Sequence, residues 1–243
     1  MDGMIYVVGI GPGKKEGMSL EAEEILEKCD IIVGYKTYVD LIKDSFPDKE
    51  FYANGMTMEI ERCKKCIDFA REGKNVAFIG SGDSGVYGMA SPMLGEAAKV
   101  GFNNIKIIPG VTAALSGGAV LGAPVGHDFC LISLSDRLTP WEKIESRLKF
   151  AAQGDFVIVI YNPASHGRKD HLKKACDILL EILPENTCCG IVRNIGREGE
   201  EKEIMSLKEL RDRPVDMFTT VFVGNSQTKN INDHMVTLRG YKQ

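Results

Sequence analysis

Short apolar runs that end in glycine-rich loops constrain this chain more than any other feature. The run Val76 to Ile79 breaks into Gly80-Ser81-Gly82-Asp83-Ser84-Gly85-Val86-Tyr87-Gly88, with four glycines in nine residues. Glycine has no Cβ and reaches left-handed conformations cheaply, so such a loop lets backbone approach a ligand closely. The single acid in its middle, Asp83, has two readings. It is a hydrogen-bond acceptor for a ligand at the end of a parallel strand, or an Asx cap before a helix from Ala90 to Val100.

The pattern recurs along the chain. Met4 to Ile10 is apolar and β-branched and breaks at Gly9-Ile10-Gly11-Pro12-Gly13, while Ile105 to Ile108 runs into Pro109-Gly110-Val111-Thr112. The first break fails as a dinucleotide fingerprint, because Pro12 lacks an N–H and several residues pass before Ser19 caps the helix Leu20 to Lys28. The next strand, Ile31 to Val33, ends in Gly34-Tyr35-Lys36 without the acid that a ribose requires. P-loop spacing is absent too. Residues 36 to 75 read as helical with turns at Pro47 and Asn54-Gly55, closing with a helix Glu59 to Glu72, and Thr112 is expected to cap a small-residue helix ending at Leu121. Alternating strands and helices over residues 4–121 predict a mostly parallel sheet covered on both faces.

The breaker cluster Gly122-Ala123-Pro124-Val125-Gly126 places a domain boundary at about residue 126, giving domains 1–126 and 127–243. In the second, Thr139-Pro140-Trp141-Glu142 predicts a capped helix start with proline at the first helical position. Phe156 to Tyr161, Thr187 to Val192, Glu203 to Met205 and Thr219 to Val223 predict strands. An amphipathic helix spans His171 to Leu183, and a short one is capped by Ser206 and Glu209. The fold class is therefore α/β, two α/β domains with a ligand cleft between them.

Composition narrows the function classes. The 243 residues carry 30 basic and 34 acidic side chains, a net charge of -4, so no global field attracts nucleic acid. No apolar run approaches the roughly 20 residues that span a bilayer, and Met1-Asp2-Gly3-Met4 lacks signal-peptide character. A cytoplasmic protein with no membrane partner is expected. The seven cysteines are odd in number and scattered, unlike a disulfide framework. Cys63 and Cys66 have metal-ligand spacing but no second pair, and they recur with Ile60, Ile67 and Ala70 at helical period, so they read as helix thiols. His166 and His171 lie five apart, unlike a helical metal pair, and no metal is expected.

Small and polar residues gather in loops at the expected strand ends, with Arg137, Arg168, Lys169, Arg193 and Arg197 among the later ones. Arginine pairs with carboxylates through forked hydrogen bonds, which suits a polycarboxylate ligand. A solvated surface is the alternative for each taken singly. His127 can act as a base near neutral pH or serve as a structural histidine.

Three motifs of the first half, GIGPG from Gly9, GDSGVYGMAS from Gly82 and PGVTA from Pro109, together resemble the tetrapyrrole methylases. HDFCLISLSDRLTPWE from His127, YNPASHGR from Tyr161 and VRNIGREGE from Val192 resemble that family's ring-contracting, carbon-17-methylating branch in cobalamin synthesis. The resemblance implies the two-domain methylase fold, distinct from a Rossmann methyltransferase, with S-adenosylmethionine as co-substrate. It implies methylation of carbon 17 of cobalt-precorrin-3 (cobalt-factor III) with ring contraction and lactone formation, in a homodimer. Gly11, Pro12, Gly82, Asp83, Val86, Thr112, Ala113, Tyr161, Asn162, Asn194 and Thr219 would line the donor site. Ser81, Ser135, Arg137 and Arg168 would meet the macrocycle, whereas Ala164 stands where the branch often carries a basic residue.

The methyl of a sulfonium is a soft electrophile and the acceptor an electron-rich macrocycle, so alignment can do much of the work without a protein nucleophile. Ring contraction also needs proton transfers, for which Asp83, His127 and Asp128 are the titratable candidates. Precorrin-3B of the oxygen-using route, another acceptor carbon or a protein acceptor, and a module that merely binds a tetrapyrrole or nucleotide remain the alternatives.

Overall fold

The computed structural model describes residues 1–165 and 167–241. The chain divides into two compact units, Met1–Ala113 and Ala114–Gln243. The division falls before the breaker cluster that marked residue 126 in the sequence, so the helix Ala113–Leu121 goes almost wholly with the second unit.

The first unit is built on strands β1 (Ile5–Gly9), β2 (Ile31–Tyr35), β3 (Glu50–Asn54), β4 (Val76–Gly80) and β5 (Ile105–Ile108), with helices α1 (Leu20–Lys28), α2 (Lys36–Ile42), α3 (Glu59–Arg71) and α4 (Ala90–Lys99) between them. All pairings are parallel and the order is β3-β2-β4-β1-β5. Successive residues alternate faces. Ile5, Val7, Ile31, Val33, Val76 and Phe78 pack under Cys63, Ile67, Met93 and Ala97 of α3 and α4. Their neighbours Val8, Ile32, Ala77 and Ile79 pack against Ala22, Leu26, Val39 and Ile42 of α1 and α2. Burial on both faces explains why these strands read as continuous apolar runs. Ser19 caps α1, its hydroxyl accepting from the Ala22 amide at 3.2 Å.

The second unit begins with α5 (Ala113–Leu121) and β6 (Gly122–Ala123), then β7 (Phe129–Ser133), α6 (Trp141–Gln153), β8 (Val157–Tyr161), α7 (His171–Leu180), β9 (Cys188–Arg193), β10 (Glu201–Ser206), α8 (Leu207–Arg211), β11 (Thr219–Val223) and a hairpin of β12 (Thr228–Ile231) and β13 (His234–Thr237). Its main sheet has the order β10-β9-β11-β8-β7 and is mixed, since β10 and β11 run against the rest. Helices α6, α7 and α8 cover one face through Ile144, Leu148, Leu172, Leu179, Leu207 and Leu210. The other face receives α5 at very close range. A Cβ on Gly117 would lie 2.8 Å from Ile195 and 3.3 Å from Phe222, and one on Gly190 would lie 2.9 Å from Leu121. Glycine is what lets helix and sheet meet there.

Several local expectations are corrected. The stretch read as helical before Glu59 contains β3, an edge strand whose residues are only half-buried and so show no apolar run. Pro140 occupies the N-cap of α6 rather than its first turn, and no side chain caps that end. The hairpin β12–β13 and its parallel pairing with β6 form a further three-stranded sheet that short polar segments concealed. The capping box of Ser206 and Glu209 is present as read.

Candidate functional site

Adjacent strands β4, β1 and β5 of the first unit point the same way, so the three glycine-rich loops that follow them emerge side by side. Backbone stitches them together. The Gly11 amide donates to the Gly82 carbonyl at 3.0 Å, the Gly82 amide returns to the Gly11 carbonyl at 2.7 Å, and the Ile10 amide reaches the Gly80 carbonyl at 2.9 Å. A Cβ on Gly110 would sit 2.2 Å from the Gly82 carbonyl oxygen and 2.5 Å from that of Gly9. No side chain fits between loops packed this closely.

Asp83 clamps the second loop to the third. Its Oδ1 accepts from the amides of Gly85 (2.8 Å) and Val86 (2.9 Å), and its Oδ2 accepts from the Gly110 amide at 2.9 Å. The Asx-cap reading and the site reading thus describe one residue, because the carboxylate that organises its own turn also fixes the neighbouring loop. Ser84 is buried, its hydroxyl donating to the Ile108 carbonyl at 2.8 Å, while its own carbonyl receives the Ala90 amide at the start of α4. Tyr87 takes φ = 51°, a left-handed conformation that costs a bulky residue energy and is held only where surroundings enforce it. Its side chain is 54 % exposed, and Val111 of the third loop is 39 % exposed. Gly80 faces open space. Gly11, Pro12, Ser81, Gly82, Asp83, Val86, Thr112 and Ala113 all belong to this one loop cluster.

In the second unit, the mixed topology sends the ends of β7, β8 and β9 and the start of β11 to the same sheet edge, since Ser133 pairs with Tyr161 and Arg193 with Thr219. Ser135, Arg137, Tyr161, Asn162, Asn194 and Thr219 follow or sit at those ends. Asn162 and Asn194 both take φ = 53°, which asparagine tolerates better than most residues, and turn the chain sharply out of β8 and β9. The Asn162 amide donates to the Ser133 hydroxyl at 2.9 Å, which also accepts from the Ser135 amide at 3.2 Å. The Tyr161 hydroxyl accepts from the Ala114 amide at 2.8 Å in the first turn of α5. Thr219 is buried, with its hydroxyl donating to Asp216 at 2.9 Å.

The basic residues of this edge are not equivalent. Arg193 is paired with Asp216 at 2.8 Å, and Arg213 with Glu203. Burial alone would raise the Asp216 carboxyl, but the Arg193 guanidinium, the Thr219 hydroxyl and the Phe218 amide outweigh it and hold the group below the usual carboxylate range. These pairs line an open cavity of about 600 Å³, together with Ile191 and Val215. Arg137 is exposed. Arg168 is largely enclosed, and its Nη1 has no hydrogen-bond partner among the described residues. Asp136 and His171, which sequence reasoning assigned no role, stand beside it. Their positions are 35 apart, and only tertiary structure joins them.

His127 and Asp128 are placed elsewhere. They precede β7, whereas the clustered residues follow it, and the Asp128 backbone carbonyl accepts from the Val157 amide at the start of β8. Four strand residues, Phe129 to Ile132, at roughly 3.3 Å each, lie between Asp128 and Ser133. Both side chains are exposed, and the His127 Nδ1 accepts the Asp128 amide at 2.9 Å. The structure therefore does not bring these two expected proton carriers to the edge where the other second-unit residues gather.

Cys63 and Cys66 are core residues of α3, where burial pushes the Cys63 thiol up to about 11 and the Cys66 thiol well above its ordinary value. Among the described residues no cluster of three or more metal-ligating side chains occurs, and no helix is long and apolar enough to cross a membrane. His166 lies outside the described residues, so its spacing from His171 is not tested.

A parallel sheet with stitched glycine loops, joined in one chain to a mixed sheet, is not a Rossmann arrangement. The family profile of Tetrapyrrole (Corrin/Porphyrin) Methylases matches residues 4–211, and the chain belongs to that family. Among curated proteins it is 46% identical to the probable cobalt-factor III C(17)-methyltransferase of Salmonella typhimurium, covering 98% of this chain and 99% of that one. It is 38% identical to the precorrin-3B C(17)-methyltransferase of a Sinorhizobium species, covering 94% and 91%. Among solved structures, the methyltransferase CobJ superposes with a TM-score of 0.89 at 34% identity, covering 97% of this chain and 100% of that one.

Proposed function

We propose that this protein methylates carbon 17 of cobalt-factor III, with S-adenosylmethionine as donor, in the ring-contracting step of cobalamin biosynthesis. The stitched loop edge of the first unit carries the reading. It offers closely approachable backbone, open space over Gly80 and two exposed apolar side chains, Tyr87 and Val111, which suit an adenosyl sulfonium better than a pyrophosphate. Members of the family bind S-adenosylmethionine, whose sulfonium supplies an electrophilic methyl. The chain's task is to hold donor and acceptor in line and exclude water. In this reading the loop residues of the first unit, from Gly11 to Ala113, hold the donor. Ser81, Ser135, Arg137 and Arg168 meet the macrocycle and its carboxylates.

The higher identity to the cobalt-named relative than to the precorrin-3B one favours a substrate that already carries cobalt. A cytoplasmic homodimer is part of the same proposal. The test is mass spectrometry of the product after incubation with S-adenosylmethionine and cobalt-factor III under nitrogen. A gain of one methyl with the absorption spectrum of a contracted ring supports the reading. Conversion of metal-free precorrin-3B alone reverses the cobalt assignment, and calorimetry showing no S-adenosylmethionine binding removes the activity altogether.

A further inference from the structure

Three side chains of the second unit form a relay that the methylation chemistry does not require and that ordinary packing does not explain. Arg168 is only 15% exposed at its side chain, and its Nε donates to the Ser165 hydroxyl at 2.9 Å. Its Nη1 has almost no accessible surface and, among the described residues, no hydrogen-bond partner, lying 3.8 Å from Oδ1 of Asp136. That distance is an ion pair but too long for a hydrogen bond. The other carboxylate oxygen, Oδ2, is held at 3.1 Å by His171 Nε2. His171 is itself immobilised, 9% exposed, with its ring edge-on to Trp141 at 4.9 Å, and Lys174 lies over that indole.

The consequence is electrostatic compensation without donor satisfaction. Asp136 lowers the cost of enclosing a guanidinium, yet His171 keeps the carboxylate from turning to fork onto it. A buried donor left open is unfavourable and is filled readily by an acceptor that can reach it. A carboxylate on the ligand is the acceptor whose charge and geometry match.

We propose that His171, acting through Asp136, is a positioning residue that keeps one enclosed guanidinium nitrogen of Arg168 unpaired, to be taken up by an acidic side chain of the tetrapyrrole as that group displaces the cover over it. The inference rests on the functional reading above for the identity of the ligand. Without the imidazole N–H, Asp136 rotates onto Arg168 and competes with the ligand's carboxylate.

The experiment is a double-mutant cycle between His171→Phe and Arg168→Ala. It is read both as the KM and kcat of methylation and as the Kd of uroporphyrin III, a non-reacting polycarboxylate porphyrin, by fluorescence quenching. H171F keeps the ring against Trp141 and removes the N–H; H171M takes its place if H171F does not fold. The expected result is a rise of about tenfold in KM and Kd, with kcat and S-adenosylmethionine affinity within about twofold of wild type. H171Q, whose amide N–H can reach Asp136, recovers most of the loss, and in the R168A background H171F has no further effect. An equal effect in that background, or none in either, overturns the proposal, as does failure of the wild type to bind the porphyrin. Should the wild type bind porphyrin yet methylate no corrin precursor, the functional reading fails, while the Kd cycle still decides the role of His171.

Discussion

Asp83→Asn separates a loop clamp from a proton carrier. In the native loop one carboxylate oxygen serves the Gly85 and Val86 amides and the other serves Gly110. The amide oxygen of asparagine can keep the first two, but its NH2 then faces the Gly110 N–H, donor against donor. One charge-assisted hydrogen bond to a partly buried amide is lost, a cost of about 2 kcal/mol, and Asp83→Ala, which leaves all three amides to solvent, costs roughly twice that. Because Gly110 packs against Gly9 and Gly82, the displaced third loop disturbs the whole edge. Urea unfolding is expected to show the loss of stability, and calorimetric titration of S-adenosylmethionine a weakening of about tenfold for D83N. Turnover at saturating donor falls only in proportion to loop disorder. If D83N instead keeps stability and donor affinity but loses turnover by about a thousandfold, Asp83 is moving a proton and the clamp argument is refuted.

Other outcomes follow from single contacts. Gly110→Ala forces a Cβ to 2.2 Å from a carbonyl oxygen, and the soluble yield and urea midpoint are expected to fall with a loss of about 3 kcal/mol or more. Ser206→Ala removes the hydroxyl half of the α8 capping box and lowers stability by about 1 kcal/mol in the same assay. Burial pushes Cys176 up to about 12 and Cys66 and Cys189 well above the ordinary thiol value. An aromatic disulfide at pH 8 should therefore titrate these three only after denaturant is added. Asp216 and Asp136, the latter through its hydrogen bond from His171, are held below the usual carboxylate range. A depressed folded-state pKa gives stability that is full above the unfolded value of about 3.9 and lost as pH falls through the folded one. Asp216→Asn should flatten the acid limb of stability against pH below about 4, and an unchanged limb would show that the Arg193 pair adds nothing.

The parallel core was legible because its strands are buried on both faces. Ile5 to Val8, Ile31 to Val33 and Val76 to Ile79 can be apolar without interruption only in a sheet covered twice. Strand β3 was not legible, since an edge strand with half-exposed residues carries no such signature. The hairpin of β12 and β13 was hidden for the same reason. The division into units eluded the punctuation of the chain. Breakers at Gly122 to Gly126 mark a local turn, whereas the unit to which α5 belongs is set by its glycines packing on Phe222 and Ile195, far along the sequence.

The sequence by itself determined the family, because ordered motifs of glycine, proline and polar residues at strand ends are local in the chain and survive as text. It also argued against a dinucleotide fold, through Pro12 and the missing acid after the second strand. Tertiary structure alone decided how those residues act. Strand order placed the three glycine loops side by side and turned Asp83 into a clamp. Strand direction carried His127 and Asp128 to the far end of β7 from Ser133 and Asn162. Packing set His171 against Asp136 and left one enclosed nitrogen of Arg168 without a partner among the described residues. Hydrogen bonding and desolvation depend on distances between residues remote in sequence, and no pattern of residue types along a chain encodes those distances directly.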